Sequence, residues 1–153
     1  MRLFFDTCTI VDYLCNRSNS DNVDKILQIA DSNHYQCFMS AGSFYTLTYL
    51  LELDLKHKGY TEKEKRVERL REILNGVLST FIIPELDGMI LKKGVNNIFF
   101  SDLEDSYQYE VAVKSFCDVF LTDNISDFKY ADQRVLKILP PTMETVKYLS
   151  ERS

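Results

Sequence analysis

Five short apolar runs constrain this chain more than any other feature: Leu3–Phe5, Gln36–Met39, Phe81–Ile83, Val119–Thr122 and Val135–Leu139. They are near-continuous rather than alternating, the pattern of strands covered on both faces. Between them the spacing becomes helical. Val23, Ile26, Leu27 and Ala30 follow the i, i+3, i+4, i+7 rule of one buried face. Phe44, Leu47 and Leu51 do so after Ser40, and Val67, Leu70, Leu74 and Val77 after Thr61, which with Glu64 makes a capping-box pattern. Ser101 and Glu104 repeat that pattern before a helix expected to bury Leu103 and Ala112. Pro140-Pro141 stops the last strand, and Thr142 is placed to cap a closing helix. Strands alternating with helices predict an α/β fold, a three-layer α/β/α sandwich around a central parallel sheet. With no internal repeat, low-complexity tract or linker, the 153 residues are expected to form a single domain, 1–153.

Ligands of such sheets bind beyond the carboxyl ends of the strands. Asp6 leaves the first run there, and Ser40 and Ser43 stand where the second hands over to its helix. A helix sandwiched between parallel strands starts at the same edge, which brings Asp102 and Asp105 to it. Asp123, Asn124 and Asp127 leave the fourth run there too. Asp105, Gln108, Tyr109 and Ala112 share one helix face by their spacing, which turns Asp105 toward Asp6. Each acid alone has a simple explanation: Asp6 as an N-cap, Asp102, Glu104 and Asp105 at the positive end of a helix dipole, Asp127 in a turn. Their convergence points to a divalent cation, because crowded carboxylates raise each other's pKa unless a cation neutralises them. Mg2+ or Mn2+ suits such a site, completed by waters and substrate phosphates, and activates water for attack on a phosphodiester.

Composition narrows the chemistry. A net charge of -5 argues against wrapping nucleic acid by charge alone, but not against a nuclease whose metal supplies local positive charge. The four cysteines (Cys8, Cys15, Cys37, Cys117) form no Cys-x-x-Cys pair, and His34 and His57 are the only histidines, so zinc is not expected. Cys37 and Cys117, among apolar residues, read as buried free thiols. No membrane span and no secretory signal pattern is seen, so a cytoplasmic location is expected. The basic stretch Lys56–Arg71, with its interspersed acids, reads as a solvated helical surface.

In order and spacing, Phe5-Asp6-Thr7, Met39-Ser40-Ala41-Gly42-Ser43, Leu103-Glu104-Asp105-Ser106-Tyr107-Gln108-Tyr109 and Leu121-Thr122-Asp123-Asn124-Ile125-Ser126-Asp127-Phe128 resemble the successive motifs of PIN domains, with Ile138-Leu139-Pro140 as the closing element. The resemblance covers essentially the whole chain. It implies a metal-dependent ribonuclease, and its VapC-like branch implies the toxin of a prokaryotic toxin–antitoxin pair. Carried over residue by residue, it makes Asp6, Asp105 and Asp127 the catalytic metal ligands, with Asp102 assisting from one turn away. Ser43, Thr46, Thr122 and Asn124 become accessory residues. Two positions depart from the pattern. Thr46 stands where the family usually has a glutamate, six residues after the mid-chain serine, and Cys8 where it usually has asparagine. Glu52 lies six residues beyond Thr46 on the helix, well off its face.

The leading expectation is therefore a Mg2+- or Mn2+-dependent endoribonuclease that cleaves single-stranded RNA. The alternative is a catalytically weak or inactive PIN-like module binding RNA or a protein, to which the loss of the acid at Thr46 lends weight. A phospho-accepting receiver domain is set aside, because Asp6 has no adjacent acid and Pro140 lies where a lysine would follow the last strand. The expected partners are RNA, a cognate antitoxin and a second copy of the chain, with no membrane. Phe44, Tyr45 and Tyr49 are either a pairing surface or core.

Overall fold

The alternation missing from the apolar runs appears once they are paired. The computed structural model describes residues 1–152. In β1 (Arg2–Phe5), Leu3 and Phe5 enter one core and Phe4 the other. β2 (Gln36–Phe38) and β3 (Val119–Leu121) divide in the same way: Cys37, Val119 and Leu121 join Leu3 and Phe5, whereas Phe38 and Phe120 join Phe4. A strand buried on both sides has no use for a polar face. Phe4 and Phe120 stack with centroids 5.0 Å apart, and Phe5 meets Phe81 edge-on at 5.1 Å in the opposite core.

With β4 (Lys137–Leu139) the sheet has four strands, all parallel, in the order β2-β1-β3-β4. The Leu3 face is covered by α1 (Thr7–Leu14), α2 (Ser20–Ser32), α3 (Ala41–His57) and α4 (Lys63–Thr80). The Phe4 face is covered by α5 (Gly88–Asn96), α6 (Leu103–Lys114) and a single 3-10 turn, Ile125–Phe128. The closing α7 (Met143–Ser150) returns to the Leu3 face, completing the expected α/β/α sandwich. No helix among the described residues is long and apolar enough to cross a membrane.

Several elements differ from the sequence reading. Phe81–Ile83 forms only an isolated bridge, Ile82 to Phe38. α4 runs to Thr80 with Phe81 as its C-cap, and Pro84, which has no N–H to give, follows directly. α4 also starts later than the Thr61 capping box predicts: Glu62 is the N-cap and its side chain makes no capping bond. Arg66 accounts for the shift, since its Nη1 donates to the carbonyls of both Tyr60 and Thr61 at 3.3 Å. Asp102, rather than Ser101, caps α6, and Leu103 just inside it is 45% exposed. α5 was not expected, its Gly88 and Gly94 masking a short helix that Asp87 caps through Ile90 N–H. Thr142 caps α7 as expected, by accepting from Thr145 N–H. Cys37 and Cys117 are buried free thiols. Tyr45 and Tyr49 are 80% and 65% exposed, so neither is core, while Phe44 packs half-buried against the core.

The topology fixes where a ligand can bind. The side on which successive strands are added reverses between β1 and β3, since β2 lies on one side of that boundary and β4 on the other. Parallel sheets open a crevice at such a switch point, outside the carboxyl ends. Phe5 and Leu121 are register partners there, so the next residues out are Asp6 and Thr122. The N–H of Asp6 donates to Leu121 O at 3.0 Å and that of Thr122 to Leu139 O at 3.1 Å.

α5 is seated on α6 through a close approach at Gly94. A Cβ there would run into the ring of Tyr107, and Ser106 Oγ donates to the Gly94 carbonyl at 2.8 Å. Gly94→Ala is expected to push α5 off α6 and cost about 1–3 kcal/mol, the usual range for overpacking. Urea denaturation of the variant measures this. An unchanged midpoint would show that the two helices are not locked there.

Candidate active site

Asp6 occupies the N-cap position of α1, yet its side chain makes no capping bond. Its Oδ1 accepts from Gln108 Nε2 at 3.1 Å and its Oδ2 from Thr122 Oγ1 at 2.7 Å. Both oxygens of Asp6 are thus engaged by side chains, with the backbone N–H groups of Thr7 and Cys8 adding a weaker pull. Thr122 Oγ1 accepts in turn from Asn124 N–H at 3.0 Å. The amide of Gln108 joins three segments, its Oε1 accepting from Thr7 N–H at 3.1 Å and from Ser43 Oγ at 3.3 Å. Asp6, Ser43, Gln108 and Thr122 are all buried. Strand ends, the start of α3 and the first half of α6 thus meet around one carboxylate.

Asp105 stands in the same place for a different reason. Asp102 accepts from Asp105 N–H at 3.2 Å, which starts α6 and sets the rotation of its first turn. The three-residue spacing to Gln108 then turns Asp105 inward. Asp105 is only 6% exposed, yet no hydrogen bond or ion pair to its carboxylate exists among the described residues. Burial, followed by the charges of Asp6, Asp102, Asp127 and Glu104, pushes its pKa up to about 7. Burial also raises Asp6, against the pull of Thr122 and Gln108. Buried negative charge without a partner must protonate or acquire a cation.

The donor chemistry fits a hard cation. Cys8 is the thiol among these acids; burial and the charge of Asp6 push it up to about 11, so it stays protonated and makes a poor ligand or nucleophile. No three His, Cys, Asp or Glu side chains among the described residues gather closely enough to hold a metal by themselves. Mg2+ and Mn2+ suit that arrangement, because they accept one or two carboxylates and complete their shell with water and phosphate oxygens.

The other sequence candidates are distributed around this pair. Asp127 lies half-exposed on the 3-10 turn, near enough for its charge to act on Asp105. Asn124 is exposed, with its backbone rather than its side chain tied to Thr122. Asp102 is exposed and committed as the α6 cap. Thr46 is half-buried and lines a groove with Ser43, Glu104 and Gln108. Glu52 is engaged elsewhere, 3.5 Å from Arg66. The sequence reading did not assign Gln108 to the site, although its three-residue offset from Asp105 was the available signal. Asp12 on α1 is raised by burial and by the charge of Asp123, whose own Oδ2 accepts from Asn19 at 2.6 Å.

A family model described as PIN domain matches residues 2–126. That span contains Asp6, Ser43, Thr46, Asp102, Asp105, Thr122 and Asn124, and ends one residue before Asp127. No curated protein and no solved structure matches the chain.

The raised pKa of Asp105 has a definite sign in stability. Unfolded, the group titrates near the ordinary 3.8; folded, it keeps its proton to about pH 7. Between those limits the folded state binds more protons, so stability falls as pH rises through the window and levels off above it. The acids held below their usual range, Asp54, Asp87 and Asp132, act only at lower pH. In chelator, thermal unfolding should therefore occur at a higher temperature at pH 5 than at pH 8, and Asp105→Asn should reduce the difference, Asp6 and Asp12 retaining a part of the same sign. An equal slope in that variant would assign the effect to other groups.

Proposed function

The chain belongs to the PIN-domain family, and from that premise we propose that it is a Mg2+- or Mn2+-dependent endoribonuclease acting on single-stranded RNA within a single domain, 1–153. The family fold is of nuclease type, and PIN domains are generally divalent-metal-dependent nucleases. One observation carries the proposal: a carboxylate, Asp105, that is 6% exposed, has no donor among the described residues, and feels the charge of a second buried acid at the switch point of a parallel sheet.

In this reading Asp6 and Asp105 hold the cation, and Asp127 approaches from the rim with Asp102 behind it. A divalent cation bound there supplies neutralising charge, polarises the phosphodiester and lowers the pKa of water. The protein fixes the geometry. Gln108 and Thr122 hold the two oxygens of Asp6 in one orientation, which spares the site the cost of ordering that carboxylate on binding. Ser43, Thr46 and Asn124 line the approach and offer hydrogen bonds to phosphate or water. The negative net charge leaves attraction of RNA to the metal and to local contacts.

The proposed biological setting is the toxin of a VapC-like toxin–antitoxin pair in the cytoplasm. An acidic rim suits a partner that brings a basic segment, since an Arg fork pairs with carboxylates. Exposed Tyr45 and Tyr49 on α3 support pairing with a second copy. The second reading, a weak or inactive module that binds RNA or a protein, is favoured by the uncharged Thr46.

The test is cleavage of a fluorescent single-stranded RNA in Mn2+, against duplex RNA and single-stranded DNA. Asp6→Asn and Asp105→Asn should fold and lose at least about a hundredfold in rate. A Lewis acid supplies several kcal/mol of transition-state stabilisation, and each ~1.4 kcal/mol is a factor of ten. RNA binding without metal-dependent cleavage would instead support the binding module. For pairing, light scattering should show a dimer at high micromolar concentration that Tyr45→Ser/Tyr49→Ser dissociates. A monomeric wild type would remove that part.

A further inference from the structure

Glu104, Tyr107 and Gln108 stand at i, i+3 and i+4 on α6, so they share one helix face. That face lines a groove of about 270 Å³ whose other side is the start of α3, with Ser43 and Thr46. Gln108 belongs both to the groove and to the candidate site: its Nε2 donates to Asp6 at 3.1 Å, and its Oε1 accepts from Ser43 Oγ at 3.3 Å. The groove therefore opens one side chain away from the proposed metal site.

Its lining selects what can enter. Leu86 and Leu91 stand beside the ring of Tyr107, one edge of which abuts Gly94 of α5. Apolar and aromatic walls suit a flat, uncharged group. No basic side chain lines the groove and Glu104 is its only charge, so a phosphate is repelled. Glu104 is exposed and makes no hydrogen bond or ion pair among the described residues, which leaves both its oxygens free to accept. The volume lies just under the roughly 300–1,000 Å³ of sites for drug-sized ligands, a space for one base rather than a stretch of chain.

Single-stranded RNA presents its Watson–Crick edges to such a site. Guanine alone has two adjacent donors on that edge, N1–H and the N2 amino group, and a carboxylate accepts both at once. Adenine and cytosine set an amino donor beside a ring acceptor, and uracil sets its N–H between two carbonyls. Each of these turns a lone pair toward a carboxylate that pairs with it. We infer that the groove is a guanine-binding subsite for the RNA, with Glu104 reading the base against the ring of Tyr107. The inference rests on the reading of the chain as acting on single-stranded RNA, and adds the base that it selects. Asp6 and Asp105 serve the phosphate; the groove serves the neighbouring base, where specificity arises.

The experiment is amide NMR titration of the full chain, in chelator, with GMP, AMP, CMP and UMP in turn. All carry the same phosphate, so differences among them report the base. GMP should move the signals of Thr46, Glu104 and Tyr107 and bind about tenfold or more tightly than the others, the scale of one bidentate base contact. Glu104→Gln, at an exposed position, should fold, lose that preference and turn it toward AMP, since an amide offers one donor and one acceptor. Equal responses to all the nucleotides, or a GMP preference kept in Glu104→Gln, would overturn the inference. Cleavage separates it from the nuclease reading. In Mn2+, a uridine-rich single-stranded RNA with one guanine should be cut at a fixed distance from that base, and Glu104→Gln should lose the register. Metal-dependent cleavage indifferent to the guanine would remove the subsite and leave the nuclease. GMP selectivity without cleavage would support the subsite and count against the nuclease alone.

Discussion

Two largely buried carboxylates, Asp6 and Asp105, lie within reach of each other's charge, with no basic side chain paired to either among the described residues. A fold tolerates this only if something else holds the groups in place. For Asp6 it is two neutral donors, Gln108 and Thr122, which satisfy its oxygens without cancelling its charge. An arginine in either position would stabilise the resting protein more, and would also occupy the place of a cation. Asp105 has no such support. Burial and the neighbouring charges push its pKa up to about 7.

The rest of the molecule explains why the strain is affordable. β1 and β3 lie at the centre of the sheet and are apolar on both faces, so Asp6 and Thr122 emerge directly from the buried core. α6 is held to α5 at Gly94 and to the sheet through Tyr109, Val111 and Ala112, which fixes the first-turn acids relative to β1. The candidate groups sit on strand ends and helix starts, with Asp127 on the 3-10 turn at the rim. Rigid support is what a site needs to hold ligand geometry before its ligand arrives.

The sandwich was legible because a doubly covered parallel strand writes itself as an unbroken apolar run. Leu3-Phe4-Phe5 and Val119-Phe120-Leu121 could be read without knowing which face each side chain took. That the charges of Asp6 and Asp127 are felt at Asp105 is consistent with the polarity of parallel strands and with helix spacing. What could not be read was set by single side chains acting at a distance. Arg66 displaced the start of α4 by seizing the carbonyls of Tyr60 and Thr61. Asp102 displaced Ser101 as the cap of α6, leaving Leu103 outside. α5 is short and contains two glycines, so its periodicity was too weak to separate from a loop. Gln108 was visible as part of a helix face, but its junction of Asp6, Thr7 and Ser43 depends on three segments far apart in sequence.

In the proposed nuclease, Asp6 and Asp105 are buried together because they share a divalent cation. Anomalous diffraction from crystals grown with Mn2+ tests it most directly, because the signal locates the ion independently of any activity. The account predicts one peak within coordination distance of the carboxylates of both Asp6 and Asp105, and none there in Asp105→Asn crystals. A fully occupied Mn2+ elsewhere on the molecule, with the space between Asp6 and Asp105 holding no peak, would contradict it.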